Sequence, residues 1–243
     1  MFRTDLVYSQ DRGELQFTAG SSATWNRAAR LFQLPAQVEY GLTDSWQLQV
    51  EWDGWQRQAQ TALASSNGSG DLSLGTKYAF MNVRRSQFHA ALAIDFTLPV
   101  GNVDRGLGEG LFTVQPSLIL ARDLPGFHHI QIFTQSGVAF VHRVKHHSNL
   151  LDDEPAAHRL ILSGGFFVPL HHAVITSELS WQTDRWNHSG VNNELYLTPG
   201  LVWKLTGRWE CGVGVSVGLT SMSDPVRLQI KFTREIQTRR NED

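Results

Sequence analysis

Only one of the 243 residues is cysteine, Cys211, which excludes an internal disulfide framework and any multi-cysteine zinc site. Charge of one sign is also scarce. Twenty-one basic against 23 acidic side chains leave a formal net charge of -2, which offers nothing to nucleic acid as a partner. No run reaches the roughly 18 uninterrupted apolar residues of a membrane helix, and mean hydropathy is only -0.24. These absences remove helical membrane proteins and disulfide scaffolds. They do not touch a protein that crosses a bilayer with strands, because there only every second residue is apolar.

Alternation is what the chain has. In Trp46-Gln47-Leu48-Gln49-Val50-Glu51-Trp52-Asp53, successive side chains point to opposite faces, so Trp46, Leu48, Val50 and Trp52 share one and Gln47, Glu51 and Asp53 the other. Twelve segments behave this way. They run from about Glu14 to Trp25, Phe32 to Leu42, Trp46 to Gln56, Asp71 to Phe80, Phe88 to Leu98 and Phe112 to Ala121. The second half repeats the rhythm at Ile130 to His142, Leu160 to Leu170, Ala173 to Asp184, Glu194 to Leu205, Trp209 to Thr220 and Val226 to Thr233. The seventh is the least regular, since Phe133 and Val141 break its phase.

Connections alternate as well. Tight ones fall at Thr43-Asp44-Ser45, Met81 to Gln87, Arg122 to Phe127, around His171-His172, and at Thr206-Gly207-Arg208. Between them come mostly longer polar ones: Asn26 to Leu31, Arg57 to Gly70, Val100 to Leu111, Arg143 to His158, Arg185 to Asn193, and the brief Ser221 to Pro225. Short periplasmic turns and longer extracellular loops mark an antiparallel up-and-down transmembrane β-barrel. The fold class expected is therefore all-β, with about twelve strands and both termini periplasmic. One domain covers residues 1–243, with an N-terminal extension at 1–12 and a polar tail at 237–243.

Aromatic residues sit at segment ends: Tyr40 and Trp46, Phe80 and Phe88, and Trp203 and Trp209 beside tight turns, Trp25 among others at the opposite ends. Bilayer interfaces select such rings, so membrane lipids are the expected surroundings. A soluble β-sandwich also alternates, but glycines and charges crowd the polar faces here, and no segment carries the features of an edge strand. The expected location is the outer membrane of a Gram-negative type envelope. The opening Met1-Phe2-Arg3-Thr4-Asp5 lacks the apolar stretch of a signal peptide, which such a destination needs. The sequence is thus a mature or truncated form, or its start is misplaced, or the membrane reading fails.

Three stretches carry a family resemblance. Val38-Glu39-Tyr40-Gly41-Leu42-Thr43-Asp44-Ser45-Trp46-Gln47-Leu48, Gly68-Ser69-Gly70-Asp71-Leu72-Ser73-Leu74-Gly75-Thr76-Lys77-Tyr78 and Thr97-Leu98-Pro99-Val100-Gly101 resemble the hairpin, glycine-aspartate strand and strand end of outer-membrane proteins named for a meta-pathway of phenol degradation. The resemblance covers roughly residues 30–120; the remainder matches only in strand rhythm. It implies an outer-membrane barrel that passes small, aromatic or hydrophobic compounds, assembled by the barrel-assembly machinery. It implies no catalytic residues. Such barrels commonly finish on an aromatic residue, whereas polar Gln237 to Asp243 follow the last segment here.

No cofactor or metal is expected. Neighbours on a strand diverge, so His128-His129, His146-His147 and His171-His172 read as polar loops and turns. Lipid hydrolysis would need a serine-histidine pair, and His142 with Ser136 or His188 with Ser189 are weak candidates without a motif. The polar faces carry more. Their acids are Glu14, Glu39, Glu51, Asp53, Asp71, Asp95, Glu178, Asp184, Glu194 and Glu210; their bases are Lys77, Lys204, Arg227 and Lys231, with Arg57 near a rim. Buried charges must be paired or wet. The interior is therefore a cation-tolerant pore or a dense salt-bridge network, since twelve strands fall between filled and open barrels. The expectation is a passive, non-enzymatic channel for a small-molecule solute, with a closed structural or surface-binding barrel as the alternative.

Overall fold

The computed structural model describes residues 2–26, 29–60, 65–126, 129–145, 157–186 and 191–237. Its strands are β1 (Glu14–Trp25), β2 (Ala29–Thr43), β3 (Trp46–Gln60), β4 (Ser66–Ser69), β5 (Leu72–Phe80), β6 (Phe88–Leu98) and β7 (Leu111–Leu124). They continue as β8 (Ile130–Arg143), β9 (Arg159–Pro169), β10 (Ala173–Thr183), β11 (Asn193–Lys204), β12 (Trp209–Gly218) and β13 (Val226–Gln237). Apart from β4 and β5, which do not pair with one another, each pairs antiparallel with its neighbours in sequence, and β1 closes the sheet against β13, from Glu14 opposite Gln237 to Trp25 opposite Val226. Since β4 and β5 both lie against β3, they form one interrupted stave. The result is a closed twelve-stave antiparallel barrel, an outer-membrane type architecture in which every strand but the short β4 has two partners.

The barrel is inside-out. Gln47, Glu178, Thr198 and Ser216 are wholly buried, whereas Leu92 is 55% and Leu179 48% exposed. Sequence alternation accounts for this: the inward parity of β10 carries Thr176, Glu178 and Ser180, and the outward parity Ile175 and Leu179. In β8 the residues that break the phase, Phe133 and Val141, are buried on the inner side. They serve two interior clusters. Phe133 joins Val7, Ala79, Ala91, Ile119 and Ala121, and Val141 joins Leu111 and Ala139.

The ladders depart from regularity at identifiable residues. Opposite Pro35, Pro116 and Pro199, whose nitrogens carry no hydrogen, β1–β2, β7–β8 and β11–β12 each skip two consecutive pairs. In β3 the register shifts opposite Leu34 and Ala36, where Gly54 adopts φ +79°. This bulge resets the alternation, so that Trp52 and Trp55 both face outward. The strand consequently runs to Gln60, beyond the Gln56 expected from periodicity, and β4 occupies part of the expected loop Arg57 to Gly70.

A side chain at Gly54 would be strained twice: by its φ, and because its Cβ would lie 1.6 Å from the Leu34 carbonyl oxygen. Gly54→Ala is expected to destabilise the barrel by about 2 kcal/mol or more. The urea midpoint of refolding in detergent micelles, read by tryptophan fluorescence, checks this. An unchanged midpoint would remove the bulge as a structural requirement.

Candidate functional site

Residues 2–13 precede the first strand and have no strand partner, so their amides need acceptors elsewhere. They find them inside the barrel. Near the tight-turn end the segment is tied by Gly13 N–H to Gly41 O at 2.8 Å, Arg12 N–H to Asp44 Oδ1 at 3.2 Å, and Ser9 Oγ to Asp44 O at 2.9 Å. Further in, Gln10 N–H donates to Gln47 Oε1 at 3.0 Å, and Tyr8 meets the side chain of Gln131. Partial burial, to which the charge of Asp123 adds, raises the Tyr8 pKa. Val7 is wholly buried against inward-facing Ala79, Ala91, Ile119, Ala121 and Phe133, a burial that stabilises by about 2 kcal/mol.

Beyond Val7 the segment crosses the bore. Lys77 Nζ donates to Leu6 O at 3.0 Å, and Asp5 N–H donates to Gln135 Oε1 at 3.1 Å. On the facing wall, Glu178 receives three backbone amides: Phe2 N–H at 2.9 Å on Oε1, and Arg3 and Thr4 N–H at 3.1 and 2.9 Å on Oε2. A carboxylate taken out of water needs such donors, and it binds them more strongly than a neutral acceptor does. The Arg3 guanidinium lies 3.8 Å from the centre of the Tyr196 ring. The Phe2 ring rests on Gly200, Gly212 and Gly214, where a Cβ would come within 2.3, 3.3 and 2.7 Å of it.

Two cavities flank the segment. One, of about 760 Å³, borders residues 2–6 and 8–11 and the wall residues Glu14, Glu39, Glu51, Lys77, Lys204, Glu210, Lys231 and Glu235. The other, of about 470 Å³, lies toward the long loops between Arg3, Glu109, Arg159, Glu194, Asp224 and Arg227. Above it the mouth is narrowed by the connection from β6 to β7, which buries Val103 and Leu107 and is held by Asp71, whose carboxylate accepts from Gly101 N–H at 2.8 Å and Glu109 N–H at 3.3 Å.

The polar-face residues singled out from the sequence are therefore distributed among several tasks. Glu51 is exposed within the first cavity, with Glu39 nearby accepting from Gln47 Nε2 at 2.6 Å. Asp95 accepts from Gln49 Nε2 at 2.7 Å, while Asp53 is half-buried beside Asp71, whose carbonyl receives its N–H at 3.0 Å. Asp184 binds Asn192 N–H at 2.7 Å and so anchors a loop; Glu194 accepts from the Tyr196 hydroxyl at 3.1 Å. Arg227 donates to Thr24 Oγ1 at 3.0 Å and pairs with Asp224 at 3.3 Å, and the Lys231 Nζ is 5.9 Å from the centre of the Phe2 ring. Lys204 and Glu210 border the first cavity. Trp25, Tyr40, Trp46, Phe80, Phe88, Trp203 and Trp209 are all exposed at strand ends.

Ser136 and His142 both face outward on β8, six residues or about 20 Å apart, which is too far for a nucleophile and its base. His188 and Ser189 lie outside the described residues, as do His128, His146, His147, and residues 61–64, 146–156 and 238–243. What sequence periodicity missed is the segment itself. Its signal was modest: Phe2, Leu6, Val7 and Tyr8 are unusually apolar for a leading arm, and the glycines crowded on β11 and β12 leave a space to be filled.

Comparison with known proteins agrees with this architecture. The family described as "Putative MetA-pathway of phenol degradation" matches residues 7–225. Among solved structures, an outer membrane channel from Pseudomonas putida F1 superposes with a TM-score of 0.75 at 14% identity, covering 96% of this chain and 100% of that one. The KdgM porin (TM-score 0.58, 10% identity, 89% and 98% covered) and the NanC porin (0.56, 8%, 93% and 100%) share the fold more distantly. No curated protein matches the chain.

Glu178→Gln keeps the size but halves the acceptor set of this latch and removes its charge. Amide hydrogen exchange at Phe2, Arg3 and Thr4 is expected to speed up roughly tenfold or more, corresponding to at least about 1.4 kcal/mol. Exchange rates equal to those of the unaltered protein would show that Glu178 does not hold the segment.

Proposed function

The chain belongs to that family, and on this footing we propose that it is a passive outer-membrane channel for small solutes, its bore narrowed by its own N-terminal segment. One observation carries the reading: a cavity of about 760 Å³ runs beside the segment, and carboxylates and lysines make up much of its wall, with Phe167, Val174 and Val202 among them. Charged side chains at this depth need water, and water beside a tether of hydrogen bonds gives ions a route. Glu14, Glu39, Glu51, Glu210 and Glu235 outnumber Lys77, Lys204 and Lys231 there, so the route favours cations. Toward the long-loop mouth Glu109, Glu194 and Asp224 are balanced by Arg3, Arg159 and Arg227 around the second cavity, so the preference for cations rests on the first. The exposed aromatics, from Trp25 and Trp46 to Trp203 and Trp209, would sit at the lipid interfaces, with the tight turns periplasmic. The family's description supports aromatic compounds among the solutes. Hydrolysis has no support in the position of Ser136 and His142.

A second reading, a closed structural barrel, is favoured by the hydrogen-bonded crossing from Lys77 to Glu178. Planar-bilayer recording separates the two. Deleting residues 2–10 is expected to raise single-channel conductance several-fold, and Glu51→Gln with Asp53→Asn to reduce cation preference. A deletion variant that inserts, yet conducts no better than the full chain, would leave the closed barrel standing.

A further inference from the structure

The seat of Phe2 has the form of a ligand subsite that the chain fills with its own side chain. Gly200 and Gly214 are paired across β11 and β12, and Gly212 lies on the same inward parity. Three lumen-facing positions without side chains in two adjacent strands weaken those strands, and glycine at such places marks close approach by another group. That group is an aromatic ring: a Cβ at Gly200 would lie 2.3 Å, and one at Gly214 2.7 Å, from carbons of Phe2. Lys231 Nζ stands 5.9 Å from the ring centre. Beside the ring, wholly buried Glu178 takes three N–H donors, among them the Phe2 amide at 2.9 Å.

We propose that this place is a binding subsite for 2-arylethylammonium solutes, which compete with Phe2 for the glycine slot and with the segment's amides for Glu178. The assignment follows from atoms. From the Phe2 nitrogen, two carbons lead to the ring, which is the connectivity of 2-phenylethylamine. An ammonium group supplies three N–H donors, the number Glu178 receives from the segment. With the segment withdrawn, a cation is the partner a buried carboxylate most requires. Ring and ammonium thus replace, in one small molecule, the two contacts that fasten the end of the segment. Seating of Phe2 and occupancy by solute exclude one another, so solutes of this class release the segment as they bind. This deepens the channel reading by naming a solute class, and rests on that reading for its physiological meaning.

The test is an equilibrium titration that needs no conductance. Refolded protein in detergent, its fold verified by heat-modifiable gel migration, is titrated with 2-phenylethylamine at neutral pH by calorimetry. Phe2→Ala is expected to bind at least tenfold more tightly than the unaltered chain, because the internal competitor is gone. Adding Glu178→Gln to that variant should lose at least tenfold, and adding Gly214→Leu should abolish binding. Where Gly214→Leu fails the folding check, Gly214→Ala replaces it, since its Cβ already intrudes on the ring position. Binding of 3-phenylpropionate, which would set its carboxylate against Glu178, is expected to be absent. The proposal is overturned if Phe2→Ala binds no more tightly than the unaltered chain, or if the glycine replacement leaves affinity unchanged. A barrel that binds but never conducts would sink the channel reading alone; one that conducts without binding would sink this proposal alone.

Discussion

Everything in this molecule depends on the seam where β1 meets β13. A strand facing hydrocarbon has no water to take its amide hydrogens, so each ladder must find a partner within the protein. Twelve consecutive residues of β1, from Glu14 to Trp25, meet β13 and close the circle. Closure also explains how Pro35, Pro116 and Pro199 are accommodated. In a sheet with edges, proline retreats to an edge; here β2, β7 and β11, which carry these prolines, are paired on both sides, and one ladder of each skips the affected pairs.

Closing the circle creates a second requirement, because a twelve-stave bore is too wide for its own side chains to fill and narrower than an open pore. The chain meets it with the twelve residues before β1. Their course is dictated by wall chemistry: small or apolar residues such as Ala79, Ala91 and Ile119 receive Val7, an ammonium at Lys77 receives a carbonyl, and a carboxylate at Glu178 receives amides. Glu178 therefore belongs to the segment as much as to β10.

The wall was legible because alternation is a local property. Trp46 to Asp53 declares its two faces within eight residues, and the tight turn at Thr43-Asp44-Ser45 is written in turn formers. Boundaries were less so. β3 continues past Gln56 because Gly54 shifts its phase, and the consequence of a single positive φ cannot be read from composition. Phe133 looked irregular because its reason is Val7, far away in sequence. The segment itself was opaque. It has no period, and its defining bond joins residues 176 positions apart. Acids such as Asp71 and Asp184 were legible as inward polar residues, while their employment as loop anchors depends on backbone placement that no pattern encodes.

The greasy ring around Val7 has a thermal corollary. Pulling that residue free would wet Val7, Ala79, Ala91, Ile119, Ala121 and Phe133 together. Exposure of apolar surface carries a positive heat capacity, and hydrophobic attachment weakens as water cools. The balance between tethered and released arms is therefore curved in temperature, with cold favouring release. An organism's growth temperature would then act on how often this barrel stands unobstructed, without any change in its wall.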